Sequence, residues 1–491
     1  MEHLEVVAEP VEKFDPIVRD GILPTIKSEA PRMARTRLAT SVVALAIACA
    51  QNATAQVTPS ADEVLPPAEQ GEAPSAVLIR NARIFTGCTP DLIEGQDVFV
   101  AGQTISRIGA DLEPPEFATV IDAGGRVLMP GLIDAHWHGV FAEATIGKLF
   151  TTNEGYWNLL AAEASRKALY RGFTTLRDTA GPMFDVARAF NEGLIEGPRV
   201  FPSGPAISQT AGHQDFRLTR DVPATPDQLH SFETSDMFYL ADGVPEVLKR
   251  VRENLMQGAT QIKLMAGGGV TSAYDPIHTI QFTKAELEAA VEAAENWGTY
   301  VLTHAINDAA VNHSIDAGVK SVEHGHMSTR ETLQRFVEED VWLSMQPFLN
   351  DDSAPALNDF QQEKYDSVVD GTDFVYRTAK ELGVKIAFGT DILFDPELAG
   401  KQGEILAKLG RWFTPFETLK MATCDNAELL KLSGQLNPYP LGPLGVVEEG
   451  AYADLILVDG NPLEDLDLVS DPEANFDVIM KDGAIYKNAL D

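Results

Sequence analysis

Cysteine is scarce in this chain, with three residues among 491. Cys49, Cys88 and Cys424 lie far apart and form no C-x-x-C pair. Closely spaced thiols usually indicate a zinc–thiolate site, and a series of regularly spaced cysteines indicates a disulfide-linked scaffold. The sequence therefore predicts neither a disulfide framework nor a zinc–thiolate site.

Basic residues are also few, since 38 lysines and arginines stand against 73 acidic residues and leave a formal net charge of −35. A surface with this charge repels the phosphates of nucleic acids and of anionic membranes. We therefore expect neither nucleic acid nor membrane as a partner. Because 44% of the residues are apolar, the chain can bury a substantial core, and its length allows two or three domains or one large barrel.

The N-terminal region contains an apolar run, Leu38–Ala50, that is too short to span a membrane comfortably. It follows the basic residues Arg35 and Arg37 and precedes Ala53-Thr54-Ala55. A basic segment, a short apolar core and an A-x-A cleavage site in this order are typical of a secretory signal peptide. We therefore expect a periplasmic or secreted protein. An ordinary buried helix is one alternative, and a lipoprotein is a minor one, because Ala46-Ile47-Ala48-Cys49 is a poor lipobox.

Signal peptides stand at true N-termini, so we expect translation to begin at Met33, which makes the residues before it a non-native extension. In the rest of the chain, β-type segments occupy both ends, and strands alternate with helices in the middle. The predicted segments are an N-terminal extension (1–32), a signal peptide (33–55), a linker (56–74), the first part of a small β-sandwich (75–123), a barrel (124–435) and the second part of the β-sandwich (436–491).

Eight short apolar segments in the middle of the chain are predicted to be strands. Helical stretches lie between most of them, which favours parallel βα units. Eight such units predict a (β/α)8 TIM barrel, an α/β fold whose active sites lie at the C-terminal ends of the strands. The predicted strands are Val127–His136, Phe173–Arg177, Arg199–Ser203, Gln261–Met265, Tyr300–His304, Ser321–His324, Val341–Gln346 and Lys385–Thr390.

The first predicted barrel strand leads into two histidines one residue apart, His136 and His138. Positions two apart on a strand point to the same face, so both imidazoles can reach one point in space. Imidazole is the commonest metal ligand in proteins, but an isolated H-x-H pair is weak support for a site. Four further predicted strands carry a lysine, histidine or aspartate near their C-terminal ends, namely Lys263, His304, His324 and Asp391.

Each of these six residues has an ordinary explanation when it is taken singly. A histidine at the end of a strand is usually a hydrogen-bonded core residue, and a lysine in an apolar strand usually extends its ammonium group into solvent. Asp391 could cap the next helix. Six such residues at one rim are much harder to explain in this way, so we predict a metal site. Among the histidines without this joint support, a structural role is favoured for His278 and His313.

The six residues suit two divalent ions that share an anionic ligand. A lysine ammonium cannot bind a metal, but a carbamate formed from Lys263 and CO₂ is a carboxylate-like bridge, and burial favours the neutral amine that this reaction needs. A water that bridges two ions loses a proton readily, and Asp391 is placed to pass that proton to a leaving amine. The expected ligands are His136, His138 and Asp391 for one ion and His304 and His324 for the other. Sites of histidine and carboxylate accept zinc, manganese, cobalt or iron, so the ligand types do not select the metal, and zinc is our expectation among them.

Several motifs around these residues resemble those of the amidohydrolase superfamily, in its two-metal, carbamylated-lysine subtype. The resemblance covers nearly everything from Ser75 to Asp491, and it implies the same barrel and the same metal set. The motifs are Met129-Pro130-Gly131-Leu132-Ile133-Asp134, Thr174-Thr175-Leu176-Arg177-Asp178, Gly389-Thr390-Asp391, Ala453-Asp454-Leu455 and Asn461-Pro462-Leu463.

Two further stretches, 203–213 and 263–270, are similar to the imidazolonepropionase-like branch of the superfamily. This branch includes Xaa-Pro-dipeptidase-like metallocarboxypeptidases and ochratoxinase. The chain departs from it at two points. Ile306 stands where relatives often carry tyrosine or histidine, and the segment 271–276 differs from their Ser-Arg pattern. Both departures bear on the substrate and leave the metal ligands intact.

The resemblance implies an amide hydrolase that removes a C-terminal amino acid. We predict hydrolysis of dipeptides or N-acyl amino acids that end in a hydrophobic residue, with ochratoxin A as one candidate. His213 and Tyr274, from long rim loops, are the predicted substrate-binding residues, although His213 could equally tether its own loop. The loops Gly204–Gly243 and Ala266–Phe282 also supply apolar residues that suit such a substrate, among them Phe232, Phe238 and Tyr239.

Two alternatives to this function remain open. One is a hydrolase of cyclic amides or imidazolones with a mononuclear site on the same fold, and the other is a non-catalytic binding protein on the same barrel. The expected partner is a small-molecule or dipeptide substrate, and we also expect the chain to form a homo-oligomer.

The signal-peptide pattern predicts a mature N-terminus near Gln56, because cleavage follows the A-x-A sequence that ends at Ala55. N-terminal sequencing of the protein purified from its native source measures this directly. Native protein that retains residues 1–32 would contradict both the predicted start and the predicted cleavage.

Overall fold

The computed structural model describes residues 76–222, 229–351 and 357–490. The predicted extension (1–32), signal peptide (33–55) and linker (56–74) lie outside the described residues, so these three assignments stay predictions. Within the described ranges, no helix has both the length and the apolar character that crossing a membrane requires.

Short strands and helices alternate through most of the described chain. The strands are β1 (Ala76–Phe85), β2 (Leu92–Ala101), β3 (Thr104–Gly109), β4 (Thr119–Asp122), β5 (Val127–Pro130), β6 (Leu132–Trp137), β7 (Phe173–Asp178), β8 (Arg199–Pro202), β9 (Ile207–Ser208), β10 (Tyr239–Leu240), β11 (Ile262–Met265), β12 (Val301–Asn307), β13 (Ser321–Met327), β14 (Trp342–Met345), β15 (Ile386–Phe388), β16 (Leu455–Val458), β17 (Phe476–Lys481) and β18 (Ala484–Asn488). The α-helices are Gly139–Ala142, Ile146–Thr151, Glu154–Tyr170, Phe184–Asn191, Ser231–Thr234, Val244–Gln257, Lys284–Glu295, Asp308–Asp316, Arg330–Glu338, Asp359–Leu382, Gln402–Ala407, Pro415–Lys420, Asn426–Leu430 and Pro472–Asn475.

Local sequence signals explain where the longest helix, Asp359–Leu382, begins and ends. Asn358 accepts a hydrogen bond from the backbone of Gln361, whose own side chain accepts from the Asn358 backbone. This reciprocal capping satisfies backbone donors that lack a partner within the helix. The helix ends at Gly383, which adopts a left-handed conformation with φ of +75° that glycine tolerates without a steric cost.

Both ends of the described chain contribute to one eight-stranded sheet. Its order is β18-β17-β16-β5-β1-β2-β3, and β4 pairs with β1. The two ends meet where β5 pairs antiparallel with β16, with Met129 opposite Ile456. The predicted joining of the two ends is thus seen as a shared sheet, while its arrangement as a β-sandwich stays a prediction.

The strands of the middle segment form two parallel sheets, β6-β7-β8 and β10-β9-β11-β12-β13-β14-β15. Each of the eight predicted strands coincides with an observed strand, with one difference at the first. The predicted strand Val127–His136 divides at Gly131, so that β5 joins the terminal sheet and β6 joins a parallel sheet. A side chain at Gly131 would lie 2.1 Å from Thr174 Oγ1, so the chain can pass β7 closely only with glycine here.

Hydrogen bonds also join the two parallel sheets at two places. The Asp391 backbone donates to the carbonyl of His136 over 2.8 Å, which links the segment after β15 to β6. The Thr260 backbone donates to the carbonyl of Pro202 over 2.9 Å, which links the segment before β11 to β8. Parallel pairing puts the C-terminal ends of β11, β12, β13 and β15 at one edge of their sheet. The bond from Asp391 to His136 places the end of β6 beside this edge, where the predicted ligands lie.

A disulfide bond joins Cys88, after β1, to Cys424, in a π-helical turn at Met421–Asp425. The two cysteines are 336 positions apart in the sequence, and no spacing rule could have paired them. The sequence analysis predicted no disulfide framework and did not foresee this single bond, which forms because the fold brings the terminal sheet against the helices that follow β15. Cys49 lies outside the described residues.

Candidate metal centre

Five strand ends place the six predicted ligands around one cavity of about 130 Å³. β6 carries the first histidine of the H-x-H pair and leads into the second, and β11 carries the lysine. β12 and β13 each supply one of the other two predicted histidines, and the aspartate follows β15. All six side chains line this cavity, namely His136, His138, Lys263, His304, His324 and Asp391. The sequence-based expectation that they share one rim thus agrees with their positions.

Three of these residues form a compact group that could hold a metal ion. Asp391 Oδ1 lies 3.3 Å from His136 Nε2 and 3.0 Å from His138 Nε2. One ligand atom from each residue lies within 4.8 Å of the other two. Two imidazole nitrogens and one carboxylate oxygen are a ligand set that first-row divalent metals accept.

The other two histidines lie beside this group. The His324 ring is 5.1 Å from that of His136 and 4.4 Å from that of His304, measured between ring centres. His324 Nδ1 donates to Gln346 Oε1 over 2.7 Å, so Nε2 is left as the nitrogen that can bind a metal. His304 therefore completes a cluster of four imidazoles around Lys263 and Asp391.

A buried carboxylate that the sequence analysis did not assign orients His136. His136 Nδ1 donates to Glu323 Oε2 over 2.7 Å. Arg177 in turn donates to both oxygens of Glu323, over 2.9 and 2.8 Å, and both side chains are fully buried. The sequence did contain a signal for both residues, since Glu323 directly precedes His324 and Arg177 lies in the motif 174–178. Strand alternation, which identified the histidines, does not predict that these two side chains pair in the interior.

This arrangement fits a bound cation. With an Nδ1 hydrogen of His136 directed to Glu323, the neutral form of this ring has its lone pair on Nε2, a tautomer assigned from its hydrogen-bond partner. That lone pair faces Asp391 Oδ1 over 3.3 Å. Two acceptors at this distance repel each other unless a cation lies between them. In addition, His138 Nδ1 is buried and has no hydrogen-bond partner within the described structure.

The protonation states also suit metal binding. Burial lowers the pKa of His138 to about 4 and holds the pKa values of His304 and His324 well below the usual range. Burial raises the pKa of Asp391, but the neighbouring histidines outweigh this effect and hold that pKa well below its usual value. Neutral imidazoles and an ionised carboxylate are the forms that bind metals.

Lys263 is almost completely buried, with 1% of its surface exposed. Burial lowers the pKa of its ammonium group to about 8. At neutral pH, the fraction of molecules in which Lys263 is a neutral amine is therefore larger than for a solvated lysine. This is the form that carbamate formation requires.

The backbone around the ligands is held by Asp134 and by unusual local conformations. Asp134 accepts from the backbone of His136 over 3.1 Å and from the backbone and hydroxyl of Thr390, so it ties β6 to the segment after β15. His324 and Asp391 adopt left-handed φ angles of +79° and +53°. Such angles cost about 1–3 kcal/mol for a non-glycine residue, and they are maintained because the surrounding bonds fix both residues.

Of the two predicted substrate-binding residues, only His213 lines the cavity. Its ring stacks on that of His304 at 4.0 Å between ring centres, and its Nδ1 contacts Asp275 and Ser272. These contacts tether one edge of the ring to its neighbouring loop, while its place in the cavity lining leaves the substrate contact a prediction. Tyr274 lies outside the cavity lining, and its hydroxyl donates to the carbonyl of Arg217 over 2.9 Å.

The aromatic wall of the cavity is built from residues other than those expected. None of Phe232, Phe238, Tyr239 and Tyr274 lines it, and the first three pack into the buried core. This expectation was wrong because a sequence pattern does not reveal the path of a long loop, and here that path directs the side chains into the core. The apolar lining instead includes Phe141, Phe216, Met265, Val270, Ile306, Phe348, Tyr365, Val368, Leu393, Phe394, Leu398 and Ile405.

The parallel α/β fold and the histidine–aspartate group at its strand ends are the features of a metal-using hydrolase of the amidohydrolase type. The amidohydrolase family model matches residues 127–487, so the chain belongs to this family. It is a hydrolase that acts on amide or peptide bonds, as the sequence predicted. Enzymes of this superfamily typically use divalent metal ions, and the ligand group described above agrees with that requirement.

Known relatives place the chain in the predicted branch. Ochratoxinase from Aspergillus niger is 31% identical over 407 residues, which cover 79% of this chain and 82% of ochratoxinase. A prolidase complexed with N-methylphosphonate-L-proline is 31% identical, with a TM-score of 0.75, over 84% of this chain and 100% of the prolidase. A Xaa-Pro dipeptidase with bound methionine is 28% identical, with a TM-score of 0.72, over 84% of this chain and 100% of the dipeptidase.

The contact between Glu323 and His136 predicts that Glu323→Gln weakens metal binding about 10–100-fold. A glutamine amide can donate from its NH₂ group to His136 Nδ1. The ring hydrogen would then lie on Nε2, the nitrogen that faces the cavity, and would block metal binding there. Competition with a chromogenic chelator measures the affinity, and Glu295→Gln, at an exposed helix end, is the matched control.

Glu323→Gln also leaves Arg177 without its buried counter-charge, which can destabilise the fold. Circular dichroism therefore checks that each variant is folded before metal affinities are compared. A folded Glu323→Gln protein with wild-type metal affinity would contradict the orienting role.

Proposed function

We propose that the chain is a metal-dependent hydrolase that releases a C-terminal hydrophobic amino acid from dipeptides or N-acyl amino acids, with ochratoxin A as one candidate substrate. The observation that carries this proposal is the cavity itself. Its lining combines the candidate metal ligands with aromatic and aliphatic side chains. A substrate whose scissile amide lies at the ligands would therefore have its apolar side chain beside these apolar residues.

We propose zinc as the metal and a carbamate on Lys263 as the ligand that the two ions share. Bound divalent ions lower the pKa of water and polarise a carbonyl group. Asp391 would accept the proton that such a water releases and would pass it to the leaving amine. The proposed ligands are His136, His138 and Asp391 for one ion and His304 and His324 for the other.

Two features support a hydrophobic amino acid as the released group. Phe141, Phe216, Phe348 and Phe394 form much of the wall, and such surfaces favour apolar groups by removing them from water. Ile306 adds apolar surface at the position where the branch often carries a polar ring. Ochratoxinase, the prolidase and the Xaa-Pro dipeptidase among the relatives also support amide substrates of this kind.

The finer architecture is part of the proposal. We infer that the two parallel sheets close into one (β/α)8 barrel (124–435), supported by the bond from the Asp391 backbone to His136. The shared sheet of both chain ends supports a small β-sandwich made of 75–123 and 436–491.

The location and assembly are likewise proposed. A periplasmic or secreted protein suits the disulfide Cys88–Cys424, because such bonds persist in oxidising compartments. The proposed partners are the small-molecule or dipeptide substrate and further copies of the chain, without nucleic acid or membrane.

The carbamate proposal predicts that Lys263→Ala loses bound metal and nearly all hydrolytic activity, because the two ions lose their shared anionic ligand. Metal content after dialysis is measured by mass spectrometry, with Lys284→Ala, at an exposed helix start, as the control. Short carboxylic acids should restore part of the activity by replacing the bridge. A Lys263→Ala protein that keeps two ions per chain would rule the carbamate out.

The substrate proposal predicts that an N-acyl-phenylalanine is hydrolysed faster than its C-terminal amide by about tenfold or more, because a site that pairs the free carboxylate discriminates against its absence. Rates are compared at equal metal loading, with the Lys263→Ala protein as the inactive background. Equal rates would reject release of a C-terminal amino acid and would leave a general amidase or a cyclic-amide hydrolase, which a cyclic-amide substrate then distinguishes.

A further inference from the structure

A second buried carboxylate, Asp275, contacts the one predicted substrate-binding residue that faces the cavity. Asp275 Oδ2 lies 3.0 Å from His213 Nδ1, and Ser272 Oγ lies 2.8 Å from the same nitrogen. The Asp275 side chain is fully enclosed by protein. A carboxylate accepts hydrogen bonds and cannot donate them when it is ionised. A hydrogen on His213 Nδ1 therefore meets an acceptor in Asp275, a tautomer assigned from its hydrogen-bond partner, and this tautomer leaves Nε2 free of that contact.

The position of Asp275 is itself fixed by the loop that follows β11. The Gly269 backbone donates to Asp275 Oδ2 over 2.7 Å. Lys364, from the helix Asp359–Leu382, donates to the carbonyls of Gly269 and Ser272 over 2.5 and 2.9 Å. Lys364 is buried, so its charge also compensates that of the enclosed carboxylate. The loop and the helix thus form one unit around Asp275.

The backbone of Gly269 also allows the His213 ring to lie where it does. A Cβ atom at this position would come within 2.1 Å of His213 Cε1. The ring is therefore packed between the loop on one side and the His304 ring on the other, 4.0 Å away between ring centres. Rotation out of this slot would break both the stacking and the hydrogen bond to Asp275.

The loop that carries His213 is joined to the loop that carries Asp275 by further bonds. The His213 backbone donates to Gln281 Oε1 over 2.8 Å, and the Gln214 backbone donates to Ser272 Oγ over 3.0 Å. The Tyr274 hydroxyl adds the bond to the Arg217 carbonyl. Tyr274 thus acts in the same assembly that holds His213, although it lies outside the cavity lining.

We propose that Asp275 is a positioning residue that fixes the orientation and the Nδ1-protonated form of His213, and so determines which ring nitrogen meets the substrate. This assignment rests on the proposed function, in which His213 contacts the substrate near the scissile amide. Asp275 acts through His213 and not on the substrate, just as a carboxylate that orients a histidine in other hydrolases sets its tautomer.

The first test needs no substrate. Zinc-loaded protein labelled with ¹⁵N-histidine is studied by NMR, and the His213 ring signals are identified by their loss in His213→Gln. The proposal expects the Nδ1-protonated tautomer in the wild type and a change of tautomer in Asp275→Asn. A wild-type His213 protonated at Nε2 alone would overturn the proposal, even if the variant failed to fold.

The second test is a double-substitution cycle on N-acyl-phenylalanine hydrolysis. We expect Asp275→Asn to lower kcat and kcat/KM equally, about 10–100-fold, because the contact is used in the transition state. In the His213→Gln background the same change should alter the rate less than about twofold, since the two residues act as one unit. Asp111→Asn, at an exposed site in the terminal sheet region, is the matched control.

An equal loss in both backgrounds would assign Asp275 a purely structural role and overturn the proposal. The two proposals fail in different ways. If the wild-type enzyme cleaves no N-acyl amino acid, the proposed function fails and the NMR test still decides the role of Asp275. If the wild type is active but Asp275→Asn keeps wild-type rates and tautomer, only the positioning role fails.

Discussion

The hydrogen bond from His136 to Glu323 determines which nitrogen of the histidine can face the cavity. Glu323 can stay ionised at full burial because Arg177 donates to both of its oxygens, and a buried charge is tolerated only when it is paired. The opposite charges of Glu323 and Arg177 cancel in the interior, and the bond to Glu323 leaves Nε2 as the His136 nitrogen that faces Asp391. Without this pair the strand ends would still converge, but the imidazole that they present could rotate or change its tautomer.

The strand ends themselves were accessible from the sequence because they depend on local properties. Alternation placed His136 and His138 on one face, and the order of βα units placed His304, His324 and Asp391 at the same rim. The two-residue strands β9 and β10 were missed, since a pattern of two residues cannot be told from chance. The aromatic wall was missed because Phe141 and Phe394 follow metal ligands by a few residues and gave no loop signal, while the loop residue Phe238 turned into the core.

Charge inside the cavity contrasts with charge on the whole chain. The protein carries a formal net charge of −35, whereas the cavity wall is largely uncharged and Lys263 is the one lysine among the described residues that line it. An anionic substrate would approach against the field of the surface, although ions in solution screen this field beyond about 10 Å. Selection must therefore occur at short range, through the hydrogen bonds and the apolar contacts of the cavity.

The disulfide between Cys88 and Cys424 has a consequence for the integrity of the molecule. It makes a covalent ring of the chain between these positions, which contains all six candidate ligands. A protease that cuts one exposed loop within this ring, such as the connection before β8 (192–196), opens the ring but releases no fragment. The two halves stay in one covalent molecule, and the strands that carry the histidines on either side of the cut remain joined.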